Sequence, residues 1–148
     1  SHGLAKAGMF LAAGNLLFCS GKKDLQSLAG LSRYRPLNIF AFGLAGVTIM
    51  GLPPSGGFNG KWLLIRSAVL QSQWLGVGVI LLGSLLSAAY IFRVFSYSYR
   101  EVEGGDTFKQ PAAVLEWSAL CLSVLSIVLG FASMFVLDLL PFSTGVAQ

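Results

Sequence analysis

The most restrictive feature of this sequence is an apolar stretch, residues 37–70, with Pro53-Pro54-Ser55-Gly56-Gly57 at its middle. As one straight helix it would be about 50 Å long at about 1.5 Å per residue, against about 30 Å for the hydrocarbon core of a bilayer. Proline removes a backbone donor and clashes with the preceding turn, and glycine admits backbone angles other residues avoid. The stretch is therefore expected to form two half-helices, 37–52 and 58–70, joined by non-helical backbone at membrane depth. Such backbone is tolerated only where protein buries it or where it lines a water-filled cavity, and broken helices recur in ion transporters.

Three further apolar stretches, 3–20, 74–95 and 112–140, accompany it. A span needs about 20 residues, which the last two supply. The first is short, and because the chain opens on Ser1 already in a helical pattern, it reads as a helix entered part-way. Composition agrees with membrane embedding: 55% of residues are hydrophobic and 11% are charged, against about 25% charged in soluble domains. Such a chain cannot coat a soluble core, which argues against a soluble enzyme, a secreted disulfide scaffold and a nucleic-acid binder. The fold class is all-α, a polytopic transmembrane bundle of about four spans, one of them broken. Residues 1–140 read as one transmembrane domain and 141–148 as a short tail.

The net charge of +4 has its meaning in its placement. Loop 21–36 carries Lys22, Lys23, Arg33 and Arg35, loop 71–73 carries no charge, and loop 96–111 carries Arg100 and Lys109 beside Glu101, Glu103 and Asp106. Basic residues in alternate loops put the first and third loops on the cytoplasmic side. Cys19 and Cys121 lie far apart inside apolar runs, as small core residues would, with no disulfide or metal spacing. No nucleophile triad, metal-ligand motif, phosphate-binding loop or nucleotide fingerprint is present, so no catalytic residue, metal or cofactor site is expected.

Three titratable groups lie where charge is costly. Lys61 sits within the second half-helix, about ten residues or 15 Å from the next loop, near the bilayer midplane. Arg66, a turn from that loop, can snorkel to the interface, whereas the stem of Lys61 is too short. An ionisable residue inside a membrane and beside a helix break is a functional candidate. Lysine there can bind and release a proton, which arginine cannot. Lys6 and His2 share a helix face at i,i+4. They are either relay groups deep in the first span or headgroup-level residues, according to where that helix begins. Asn15, Thr48, Ser84, Ser87, Ser123 and Ser126 suit helix–helix hydrogen bonds, Glu116 an interfacial position, and Arg93 with Tyr97 an anchor pair.

Two segments carry a resemblance. Residues 2–14, HGLAKAGMFLAAG, resemble the HxxxKAxLFLxxG helix of the antiporter-like proton-pumping subunits. Residues 51–65, GLPPSGGFNGKWLLI, resemble their broken-helix motif G-x-P-P-x-x-G-F-x-x-K. Such subunits occur in complex I, in Mrp-type sodium/proton antiporters as the D-type component, and in membrane-bound hydrogenase complexes. The resemblance implies a fold of about fourteen core helices in two inverted repeats, with this chain as the C-terminal four. It implies an exit-side proton site at Lys61 and a central hydrophilic axis at Lys6 and His2; a branch of the family with Glu in place of Lys61 is excluded. It implies a proton-translocating subunit that binds no redox cofactor itself. Its partners would be other membrane subunits, the lipid bilayer, protons and, in antiporters, sodium. The location would be a bacterial or archaeal cell membrane. The rival reading is a structural membrane module that packs in such a complex and conducts nothing.

Overall fold

The computed structural model describes residues 1–101 and 108–133. Six α-helices follow in order: α1 (His2–Ser20), α2 (Leu31–Tyr34), α3 (Pro36–Met50), α4 (Gly56–Leu70), α5 (Trp74–Ser98) and α6 (Ala113–Phe131), with a 3-10 turn at Leu25–Leu28 before α2. No strand occurs among the described residues. Helices α1, α5 and α6 are long and apolar enough to cross a membrane, and α3 is a shorter apolar helix. The expected loop acids Glu103 and Asp106, the last part of the fourth apolar stretch and the 141–148 tail lie outside the described residues.

Helices α1, α3 and α6 pack against one another as a three-helix core; α5 lies on α3, and α4 touches α3, α5 and α6. Small residues let the backbones approach. Ala12, Ala41, Ala45 and Ala119 are fully buried, in one cluster with Met9, Phe42 and Ile91. Without a hydrophobic drive between helices in lipid, close van der Waals packing of this kind holds them together. A second cluster, Leu16, Cys19, Leu28, Leu31 and Ile39, ties the connection between α1 and α3 to the core.

The apolar 37–70 stretch is divided as its prolines require, but the connection, residues 51–55, lies two positions earlier than the sequence suggested. Helix α3 ends at Met50, Gly51 caps it with φ 77°, and α4 begins at Gly56 behind Ser55. Gly56 and Gly57 thus lie in the first turn of α4 and are not part of the connection. They are small because neighbours come close: a Cβ on Gly57 would collide with the Thr48 carbonyl, and one on Gly56 with Ser1. The backbone freedom falls to Gly51, at a left-handed angle costly for other residues.

The two cysteines differ from one another. Cys19 is buried but Cys121 is exposed, on the outward side of α6, where a thiol needs no partner if the surroundings are apolar. The cation over the Tyr97 ring is Arg100, 4.3 Å from its centroid, and Arg93 is exposed. Trp62 lies on the outer face of α4, 57% exposed, and stacks on Phe58 one turn earlier. Helix α4 buries no residue fully and α5 only Ile91 and Ser98; their outer faces are apolar, as lipid or further helices require.

Candidate functional site

A helix leaves its last four carbonyls without intrahelical donors, and in α3 these belong to Val47, Thr48, Ile49 and Met50. The Gly51 cap serves the first two: its N–H bonds Val47 O at 3.1 Å and Thr48 O at 3.2 Å, and the Leu52 N–H bonds Val47 O at 3.0 Å. In a continuing helix the N–H groups of residues 53 and 54 would serve Ile49 and Met50. Both positions are proline, and neither has an N–H. The proline pair therefore strips two specific carbonyls of their natural donors.

Lys61 supplies the replacement. Its Nζ donates to Ile49 O at 3.0 Å, to Met50 O at 2.9 Å and to Ser84 Oγ at 2.8 Å. An ammonium has three donors, and all three are used. Ser84, on α5, donates its own hydroxyl hydrogen bond to Ile80 O at 3.1 Å, so its oxygen faces Lys61 as an acceptor. The carbonyl end of α3 also carries the negative pole of the helix dipole, which favours a cation by about 0.3–1 kcal/mol. The Lys61 stem runs beside Gly51, where a Cβ would meet it. Three helices thus build one site: α3 gives two carbonyls, α4 the amine and α5 the hydroxyl.

The start of α4 is fixed equally locally. Ser55 is its N-cap and accepts the Phe58 N–H at 3.2 Å, while its hydroxyl donates back to Leu52 O at 2.7 Å. One serine therefore ties the connection to the helix that carries Lys61.

Lys6 and His2 lie on one side of α1, both exposed, and neither side chain forms a hydrogen bond to another described residue. Neither side chain hydrogen-bonds Lys61, whose three donors are used elsewhere. The beginning of α1 abuts the break, where the Ser1 hydroxyl donates to Ser126 O at 2.7 Å.

A second polar cluster, which the sequence did not bring together, joins α1, α3 and α6 at the other end of α3. Asn15 Nδ2 donates to Asn38 Oδ1 at 2.9 Å, and Asn38 Nδ2 donates to Glu116 Oε1 at 2.7 Å. Arg35 Nη1 stands 3.8 Å from the same carboxylate oxygen. Glu116 lies in the first turn of α6, and its side chain is 16% exposed and turned toward Asn38 and Arg35. Asn38 carried a signal that could have been read, an amide inside an otherwise apolar helical run.

The chain matches the family model described as NADH:quinone oxidoreductase/Mrp antiporter, transmembrane, over residues 1–87. It is 36% identical over 99 residues to NADH-quinone oxidoreductase subunit N of Desulforudis audaxviator, an alignment covering 67% of this chain and 20% of that protein. It is 30% identical over 137 residues to a Staphylococcus aureus protein named as a putative antiporter subunit, mnhD2, covering 91% of this chain and 28% of the relative. Its fold is similar to that of a chain in the structure of the Mrp complex from Dietzia sp. DQ12-45-1b, with a TM-score of 0.78 and 22% identity, covering 91% of this chain and 34% of that one. The chain spans 20% and 28% of the lengths of the first two relatives. It belongs to the NADH:quinone oxidoreductase/Mrp antiporter family of membrane subunits, and the Lys61 site lies within the matched segment.

Proposed function

We propose that this chain forms the Lys61 end of a proton path in an antiporter-like membrane subunit. The supporting observation is that the Lys61 ammonium fills the two carbonyls left bare by Pro53 and Pro54. A lysine whose three donors are all spent on uncharged oxygens inside a membrane protein has no counter-ion to hold it permanently charged. Among the described residues no carboxylate lies within salt-bridge distance of it. It can accept a proton and be held by the end of α3, and it can release one when a positive charge arrives nearby. His2 and Lys6 are the groups in this chain from which such a charge would come, because the start of α1, which carries them, abuts the break at Gly56. Like charges repel more strongly in a medium of low dielectric than in water, and such repulsion favours loss of a proton from one of them. The ion carried is the proton, with sodium as the exchanged ion in an antiporter setting.

The relatives' names place them in NADH-quinone oxidoreductase and in antiporters. By extension the partners here are other membrane subunits of such an assembly, in the cell membrane of a bacterium or archaeon. The basic loop at residues 21–36 would face the cytoplasm.

The test is ion uptake into vesicles by the full-length subunit in its assembled complex, normalised to the amount of complex. Lys61→Ala is expected to remove most transport and to leave assembly largely intact. Arg66→Ala, which alters a residue outside the site, is expected to have little effect. Parent-like transport by Lys61→Ala would make Lys61 a structural lysine and the chain a packing module.

A further inference from the structure

We propose that α6 is a splint across the broken helix, and that Thr48, Ser126 and Asn59 are positioning residues for Lys61. The proposal rests on the reading of Lys61 as the proton-carrying group. None of the three residues bonds Lys61.

Helix α6 grips both sides of the break. On the α3 side, Thr48 Oγ1 and Ser126 Oγ are 3.0 Å apart and fully buried. On the α4 side, Asn59 Nδ2 donates to Gly130 O at 2.9 Å and also reaches the Ser133 hydroxyl. Ser126 and Gly130 are four residues apart, so they share one face of α6, about 6 Å from each other along the axis. Between these grips α6 runs directly against the connection. A Cβ on Gly130 would collide with the Gly56 N–H and the Pro54 carbonyl.

The grips fall next to the two halves of the Lys61 site. Thr48 immediately precedes the carbonyls of Ile49 and Met50, and Asn59 lies two residues before Lys61. The distance between acceptors on α3 and donor on α4 is therefore set by where α6 holds each half-helix. Hydrogen bonds of about 2.9–3.0 Å are lost within about half an ångström of separation, so a small opening of the break would release the ammonium. The hydroxyls are also used selectively. Ser87, Ser96 and Ser118 bond only the carbonyl four residues back in their own helix. Thr48 instead meets a hydroxyl on another helix, which its own helix did not require.

The experiment uses the full-length subunit in its assembled complex, with transport per complex as the readout. Thr48→Val keeps the shape and removes the hydroxyl. It is expected to lower transport about five- to tenfold, the worth of one buried hydrogen bond, as is Ser126→Ala. The double variant should be no lower than Ser126→Ala alone, which already removes the shared bond together with the one from Ser126 Oγ to Ser123 O. Thr48→Ser, which keeps the hydroxyl, should restore transport to near the parent level. Asn59→Leu tests the other grip and should lower transport even if the Thr48 variants fail to assemble. Lys61→Ala is run alongside. If it is inactive while Thr48→Val, Ser126→Ala and Asn59→Leu transport like the parent, the splint is overturned and the Lys61 reading stands. If Thr48→Ser is as low as Thr48→Val, the hydroxyl is not what matters and the splint is again overturned. If Lys61→Ala itself transports normally, the reading on which the splint rests has failed.

Discussion

At the scale of residues, the site reduces to a mismatch between donors and acceptors. Two prolines withhold N–H groups from Ile49 and Met50, and one lysine replaces them. Position 61 and the prolines are both visible in the sequence, because an ionisable residue in an apolar run and a Pro-Pro pair each violate the local pattern. Ser84 is not visible as a partner: it lies 23 positions from Lys61 on α5, and nothing in a helical period says which serine of a neighbouring helix faces inward. The same accounting makes a prediction. Pro54→Ala returns an N–H that can reach Met50 O in a continued helix, so it competes with the lysine for its acceptor. Transport should fall, and amide exchange should show new protection at position 54. Unchanged transport with a protected amide at that position would mean that the Met50 bond is dispensable.

At the scale of elements, the broken helix and the inner face of α6 define the geometry. The break was legible from composition, yet its edges were not. Gly56 and Gly57 look like loop residues in isolation and prove to be helix residues chosen for close approach, a distinction that depends on Thr48 and Ser1 in three dimensions. Gly57→Ala is accordingly expected to disrupt packing of α4 on α3 severely, since backbone cannot yield as a flexible side-chain end can; the check is the fraction of subunit recovered in assembled complex. Parent-like recovery would mean that the two half-helices can separate at no cost. The Asn15–Asn38–Glu116 chain does comparable work at the other end of α3. Glu116→Ala leaves Asn38 without its acceptor and Arg35 without its counter-charge, and a hydrogen bond to a charged group is worth about 1.5–3 kcal/mol. A lower temperature for loss of assembled complex is expected. Glu116→Gln, which still accepts from Asn38, should lie between Glu116→Ala and the parent. Equal stability of all three would mean that the cluster holds nothing together.

At the scale of the whole molecule, membrane embedding and an all-helical bundle followed from apolar run lengths and scarce charge. The grouping of α1, α3 and α6 into a core, with α4 and α5 flanking it, did not, because all the helices are apolar and the choice of neighbours rests on small residues such as Gly8, Ala45 and Ala119. Orientation is a separate prediction from the loops. Cysteine introduced for the exposed Gln26, in a cysteine-free background, should react with an impermeant thiol reagent only from the cytoplasmic side; reaction from outside intact cells would invert the bundle. The most direct test of the central claim separates charge from proton exchange at one position. Lys61→Arg keeps a cation with hydrogen-bond donors beside Ile49, Met50 and Ser84, but guanidinium does not give up its proton in proteins. If Lys61 works by binding and releasing a proton, vesicles carrying assembled Lys61→Arg complex should show transport reduced to the level of Lys61→Ala; transport at the parent rate would show that position 61 needs only a positive charge, and would contradict the account.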